Sequence, residues 1–281
     1  MDKSSDVENR LIGKIWQHLR DESNRMIDSE EILTNFLTDT VLTHTSLERA
    51  LAYLLSEKLY SVHFSANSLK TIFNEAFAAS SACRYAIACD LKAVVERDPA
   101  SRGFAEPFLH YKGFHALEAY RVSHFLWNRK RYGLALLVNN RIAEVFSVDI
   151  HPAAKIGKGI FIDHATGVVV GETAVIGDDV SLLHEVTLGG TGKEKGDRHP
   201  KIGSGVLIGA GAKILGNVKI GQGSKIGAGS VVLNNVPPHS TVVGVPARIV
   251  GHPKTANPAL SMDQEIDRSV QMNLSYSAST L

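Results

Sequence analysis

The sequence predicts an α+β chain: an N-terminal all-helical domain followed by a parallel β-helix of hexapeptide repeats with one extruded loop. Three observations carry this. Small aliphatic residues recur every six residues from Ile150 to Val186, and again from Ile202 to Val232. A polar, glycine-rich interval separates the two runs. The residues before them carry apolar stripes at helical spacing instead. A period of six is neither the 3.6 of an amphipathic helix nor the 2 of an ordinary strand, and it marks a solenoid. The expected divisions are a helical domain over 1–148, the β-helix over 149–252 and a tail over 253–281.

The helical block comes first. Val7, Leu11 and Ile15 step by four. Ile32, Leu33, Phe36, Leu37 and Val41 make a second stripe, preceded by Asp28 with Glu31 three residues on, a capping-box pattern. Thr45 and Glu48 repeat that pattern ahead of Leu47, Leu51, Leu54 and Leu55. Leu69, Ile72, Phe73, Ala76 and Phe77 form a further helix, and residues 114–147 form two helices broken near Gly133. A block this large cannot bury its stripes on a narrow prism alone, so it should pack on itself and on other subunits. Cys83 and Cys89 fall in one of these helices and read as reduced core residues, which points to the cytoplasm. A formal net charge of +1 offers no electrostatic case for nucleic acid or an anionic membrane. No apolar run approaches a membrane span, and residues 1–20 carry too many charges for a secretory signal.

In the repeat region the beat runs Ile150, Ile156, Ile162, Val168, Ala174, Val180, Val186, then Ile202, Ile208, Ile214, Ile220, Ile226, Val232. Three hexads close a triangular coil, so side chains eighteen residues apart should stack into an inward column. Roughly four coils result, enough for a continuous core. Prisms of this kind coil left-handed, against the usual right-handed preference for parallel crossovers, and spacing alone does not set that hand. Gly157, Gly203, Gly209, Gly221 and Gly227 suit corners that call for positive φ. Val186 to Ile202 is sixteen residues, two hexads plus four, so the chain around Gly189–Pro200 should leave the wall as a loop. Polar loops on rigid scaffolds commonly carry function, although a tolerated surface insertion looks the same in sequence. The tail beyond 253 is polar and reads as flexible or docked on another surface.

His164 follows the inward Ile162 by two and should sit on the outer wall near a corner. Asp149 precedes Ile150 on the coil below, and eighteen residues above it lies residue 167, three from His164. The two are therefore expected near one edge, where a carboxylate fixes the imidazole tautomer and supports the other nitrogen as a base. An exposed histidine beside a solvated aspartate is the plainer alternative. Arg198 and His199 close the extruded loop, and Arg198 could grip a carboxylate bidentately or simply be solvated. Asp163 and Asp98 could hold an ammonium, but Asp98 before Pro99 also suits a turn. Gly189-Gly-Thr-Gly-Lys193 fails the Walker pattern, which needs glycine where Thr187 stands and a helix afterwards. His151, His164, His184 and His199 form no tight ligand cluster, so no metal is expected.

Several stretches together resemble the serine acetyltransferases of bacteria and plants: Arg97-Asp-Pro-Ala100, Tyr111-Lys-Gly-Phe-His-Ala-Leu117, Asp149-Ile-His-Pro-Ala-Ala-Lys155, Asp163-His-Ala-Thr-Gly167, Gly196-Asp-Arg-His-Pro200 and Gly244-Val-Pro-Ala-Arg248. The resemblance is strong over roughly 80–252 and looser before it. It implies acetyl transfer from acetyl-CoA to the hydroxyl of L-serine, the committed step into cysteine. By that resemblance His164 is the general base and Asp149 its orienting partner, with no covalent enzyme intermediate. Asp98 and Asp163 face the ammonium, Arg198 and His199 bind the carboxylate, and Glu172 supports them. Coenzyme A would lie along the wall between neighbouring subunits, near Gly190, Thr191, Ala210, Lys225, Ala228 and Arg248. The resemblance further implies a homo-oligomer of trimers paired into a hexamer, and inhibition by L-cysteine. Family members often dock a C-terminal peptide ending in Ile on O-acetylserine sulfhydrylase; here the end is Ser279-Thr-Leu281, and Leu281 would have to fill that role. Acetylation of a sugar or antibiotic hydroxyl, a zinc lyase on the same prism and a non-catalytic scaffold are the competing readings.

Overall fold

The computed structural model describes residues 3–192 and 194–266. Its helices are α1 (Lys3–Ser29), α2 (Thr34–Leu37), α3 (Leu47–Leu59), α4 (Ala66–Ala79), α5 (Ser81–Arg97), α6 (Ala105–His110), α7 (Lys112–Asn128) and α8 (Tyr132–Phe146). The stripes of α3 and α4 are buried as expected, with Leu51, Leu55, Phe73 and Phe77 fully enclosed. Two expectations fail. The stripe over 32–41 is not one helix: a 3-10 turn at Glu31–Leu33, α2 and a π turn at Thr38–Leu42 succeed each other. Leu37 and Val41 still face inward, whereas Ile32 is 87% exposed. Neither capping box forms: α1 runs through Asp28, and Ser46, not Thr45, precedes α3 without a side-chain cap bond. The other break falls at Arg129–Arg131, just before Gly133.

A buried ionic cluster fastens the helices to the prism. Asp90 of α5 accepts the Ile160 N–H at 2.7 Å, and Arg121 of α7 donates to the Gly157 carbonyl at 2.8 Å and to Asp90 itself. Glu118 lies 3.3 Å from Arg121 Nε. Gly113 of α7 touches the coil so closely that a Cβ there would stand 2.0 Å from the Ile162 carbonyl oxygen.

The prism, a left-handed parallel β-helix, has three faces. Face one stacks β1 (Val148–Ile150), β4 (Val168–Val170), β7 (Thr187–Gly189), β10 (Lys213–Leu215) and β13 (Val231–Val232). Face two stacks β2 (Lys155–Ile156), β5 (Val175–Ile176), β8 (Lys201–Ile202) and β11 (Lys219–Ile220). Face three stacks β3 (Phe161–Ile162), β6 (Ser181–Leu182), β9 (Leu207–Ile208), β12 (Lys225–Ile226) and β14 (Thr241–Gly244), edged by the antiparallel β15 (Ala247–Gly251). Five rungs on face one exceed the four coils counted from the hexads.

The register corrects the phase of the beat. Ile150 pairs with Val170, twenty residues on, and Ile162 with Leu182; only the later coils, such as Ile202 to Ile220, step by eighteen. Two extra residues widen the corner between β3 and β4. Val168, Ala174, Val180 and Val186 are buried, but they occupy a second inward position two residues ahead of the strand's last residue. Because both positions are small and apolar, the sequence pattern slips by two without losing its character. The loop insertion is likewise measured from Leu188 to Ile202, fourteen residues, one hexad plus eight. Nor do Gly157, Gly203, Gly209, Gly221 and Gly227 adopt positive φ. They are glycine because the next coil crowds them: a Cβ on Gly209 would lie 2.6 Å from the Ala228 nitrogen.

After β15 the chain turns back, and α9 (Pro258–Ser261) docks against α5 and β9. No helix among the described residues is long and apolar enough to cross a membrane. The terminal Leu281 lies outside the described residues.

Candidate active site

The corner between faces three and one carries the widening. His164 and Ala165 both adopt left-handed backbone, φ 55° and 59°, which costs non-glycine residues on the order of 1–3 kcal/mol each. Consecutive turns hold it, with Ala165 N–H donating to the Asp163 carbonyl at 2.6 Å and Gly167 N–H to Ser147 at 2.8 Å. The result thrusts the His164 side chain outward, 77% exposed, with Nε2 3.8 Å from Asp163 Oδ1. One coil higher His184 stands edge-on, its ring centre 5.9 Å away, and its buried Nδ1 has no hydrogen-bond partner.

Asp98 closes α5 and faces this corner. Its Oδ1 accepts the Ala100 N–H at 2.9 Å, the turn role that a residue before proline suits, yet it also lines the cavity. Asp98, Tyr111, Lys112, Asp163 and His164 surround about 940 Å³, walled on one side by Ser261 and Met262. Burial pushes the Asp163 carboxyl above its ordinary range, His164 pulls it back and Asp98 adds to the rise. The Tyr111 hydroxyl is pushed up to about 12 by burial first and by Asp98 next.

A second cluster occupies the corner between faces one and two. Arg198 Nη2 bonds Glu172 Oε2 at 2.7 Å, and that bond holds the Glu172 carboxyl below its ordinary value. Thr173 organises the rest. Its hydroxyl oxygen accepts the Arg198 and His199 backbone N–H groups at 3.0 and 3.1 Å, while its own N–H donates to His199 Nδ1 at 3.1 Å. With Nδ1 accepting, the neutral ring carries its proton on Nε2. Burial, then Arg198, lowers the His199 pKa. Gly171 makes room, since a Cβ there would lie 2.0 Å from His199 Cδ2.

The expected site residues thus divide between two corners at the two edges of face one. Asp149 lies on the face between them, opposite Val169 and not residue 167. Its carboxylate accepts from Asn139 Nδ2 at 3.2 Å, and no hydrogen bond joins it to His164 in this structure. Among the expected coenzyme residues, Gly190 and Thr191 sit at the loop corner, Ala210 and Ala228 stack at the His164 corner, and Arg248 is exposed on β15. Lys225 is buried, its amine bonded to the Glu265 carbonyl and 3.9 Å from Asp263. Single-chain geometry does not assemble these six. Tyr111, Thr173 and His184 were missed from sequence. His184 was the accessible one, because a coil of twenty residues sets it directly over His164.

A separate cavity of about 760 Å³, under α4, α5 and α7, holds none of the expected site residues. Cys83 lines it, its thiol pushed up to about 12 by burial. Among the described residues no group of three or more His, Cys, Asp or Glu is placed to hold a metal.

Residues 15–119 match the family described as serine acetyltransferase, N-terminal, and residues 199–234 match bacterial transferase hexapeptide (six repeats). The serine acetyltransferase of Salmonella typhimurium is 54% identical over 253 residues, 90% of this chain and 93% of the relative. The Haemophilus influenzae serine acetyltransferase is 52% identical over 263 residues, 92% of this chain and 98% of that one. A serine acetyltransferase structure from Vibrio cholerae superimposes with TM-score 0.90 at 52% identity, covering 91% of this chain and 99% of the other. A serine acetyltransferase in complex with cysteine matches at TM-score 0.88 and 53% identity, over 90% and 98% of the two chains. One from Brucella abortus in complex with coenzyme A matches at 0.84 and 49%, over 85% and 96%.

Proposed function

The chain belongs to the serine acetyltransferase family, and on that premise we propose that His164 is the general base of its reaction, within a site built from both corners of face one. The enzyme is a serine O-acetyltransferase of cysteine biosynthesis that uses acetyl-CoA as co-substrate. The observation that carries the His164 assignment is the strained, outward imidazole opening on the cavity that also holds Asp98 and Asp163.

A serine hydroxyl is a poor nucleophile near neutral pH. His164 takes its proton as the oxygen attacks the thioester carbonyl, and the tetrahedral oxyanion collapses with departure of the coenzyme A thiolate. His164 then returns the proton to that sulfur. Asp149 orients the base in the assembled site. His184, which stands edge-on over His164, supplies a donor toward the oxyanion. An acyl-cysteine route is unattractive, because Cys83 lies in the other cavity with its thiol pushed up to about 12.

Asp98 and Asp163 receive the ammonium of serine. Arg198, braced by Glu172, and the Nε2–H of His199 receive its carboxylate. These two groups stand at opposite edges of face one. A threefold assembly that sets the loop corner of one subunit against the His164 corner of the next unites them, and coenzyme A then runs between subunits past Gly190, Thr191, Ala210, Lys225, Ala228 and Arg248. L-cysteine, with sulfur in place of the hydroxyl, fits the same zwitterion site and inhibits; a solved relative in complex with cysteine supports this. Docking of the tail on O-acetylserine sulfhydrylase remains a proposal resting on Leu281. The test is release of coenzyme A with L-serine, with and without L-cysteine, in wild type and His164→Ala. Loss of turnover by orders of magnitude with serine binding retained is expected; near-normal turnover overturns the assignment.

A further inference from the structure

Arg97 is the last residue of α5 and stands immediately before Asp98. Its side chain is 3% exposed and crosses to the prism. Nη2 donates to Asp179 Oδ1 at 3.1 Å, and Nη1 donates to Ser181 Oγ at 3.1 Å and to the Val180 carbonyl at 3.5 Å. Ser181 in turn donates to the Ala259 carbonyl at 2.9 Å, which registers α9 and hence the Ser261–Met262 wall of the cavity.

The backbone under this contact is unusual for its column. At the corner between faces two and three, equivalent positions on successive coils are Gly159, Asp179, Gly205, Gly223 and His239, all at positive φ. Three use glycine, for which φ near 70° is free of strain. Asp179, at φ 58°, and His239 at the last of these positions, at φ 55°, accept the cost of a side chain in the left-handed region. The Asp179 carboxylate lies across Gly159, where an added Cβ would stand 2.3 Å from Oδ1. Glycine below, aspartate above and the guanidinium from α5 therefore interlock. Asp98 is held on its other side by its own N–H bond to Val94 at 2.9 Å and by its bond to Ala100, so its place depends on where the end of α5 is anchored.

We propose that Arg97, gripped by the left-handed Asp179, is a positioning residue that sets Asp98 against Asp163 and His164 and thereby determines affinity for the ammonium of the acceptor. The proposal rests on the acceptor site described above. Two variants test it. Arg97→Lys keeps the charge and loses the planar fork. Asp179→Gly removes the carboxylate while giving the column its usual residue, so backbone strain is relieved. Both are expected to raise KM for L-serine about tenfold, with kcat and KM for acetyl-CoA changed by less than about threefold, the pattern of lost ground-state binding. The pH at half-maximal kcat stays in place, whatever fall in thermal midpoint the lost counter-charge of Arg97 brings. A merely structural role would move all kinetic constants together. Unchanged KM for serine in both variants, or an equal rise in KM for acetyl-CoA, overturns the proposal. Turnover retained in His164→Ala would instead overturn the site reading while leaving these comparisons intact.

Discussion

His164 and His184 meet edge to face on successive coils, ring centres 5.9 Å apart and planes at 71°. The lower ring is exposed, and the upper one buries a nitrogen that nothing satisfies. His184→Phe keeps an aromatic ring against His164 but removes the donor. Its kcat should fall by about 10²–10³, the usual effect of losing an oxyanion donor, with KM for L-serine nearly unchanged. Steady-state kinetics decide this; an effect confined to KM would remove His184 from the chemistry.

Glu172 braces Arg198 at 2.7 Å. Glu172→Gln should raise KM for L-serine several-fold while leaving KM for acetyl-CoA in place, since the lost charge governs only where Arg198 points. The pair also sets a pH dependence. The folded-state pKa of Glu172 is depressed from 4.5, so its stabilisation is complete above the unfolded value and is lost as pH falls through the folded one. The stability difference between wild type and Glu172→Gln should therefore vanish on acidification below that range, measured by denaturant unfolding. A difference that grows with acid would contradict the pairing.

The cluster under α5 and α7 behaves the opposite way. Burial, then the Asp90 carboxylate, raises the Glu118 pKa well above 4.5, against the pull of Arg121 at 3.3 Å. A raised acid binds its proton more tightly when folded, so its contribution is full below the unfolded pKa and is lost as pH rises through the folded one. Glu118→Gln mimics the protonated form and should match or exceed wild-type stability at pH 8, with the two converging near pH 4. Asp90→Asn should be worse by about 3–5 kcal/mol, because it strips Arg121 of its buried counter-charge. Thermal melts across pH check both; a Glu118→Gln melt well below wild type at pH 8 would refute the protonated state.

Two close approaches separate site from scaffold. Gly171→Ala places a methyl 2.0 Å from His199 Cδ2 without positive φ, so the ring must move. KM for L-serine should rise while the fold is kept. Gly113→Ala places the same group 2.0 Å from the Ile162 carbonyl oxygen, which is backbone and cannot yield. That change should cost about 1–3 kcal/mol by forcing α7 off the first coil. Paired melting and kinetic measurements distinguish them, and identical behaviour would contradict the geometry.

Much of this architecture was legible in one dimension. The hexad beat marked the prism, its interruption marked the loop ending at Arg198 and His199, and the stripes of α3 and α4 marked their buried faces. The stripe over 32–41 misled because apolar spacing does not register that the chain tightens to a 3-10 turn and then widens to a π turn there. His184 and Thr173 were missed for different reasons. The first depended on a coil of twenty residues, and the second acts through its backbone and a hydroxyl rather than through a residue type associated with chemistry.

By itself the sequence determined the period, hence the solenoid, and the residue types at its edges, from which we propose a zwitterion site with a histidine base. These are local properties, readable because each hexad repeats one strand and one turn. Only the tertiary structure decided the phase, since two inward positions per hexad are both apolar and a slip of two leaves the pattern intact. That phase puts His164 and Asp163 at one corner and Arg198 and His199 at another, with Asp149 between them. It also brings Arg97 onto the left-handed aspartate of a mostly glycine column, a contact between residues 82 positions apart that no spacing rule encodes.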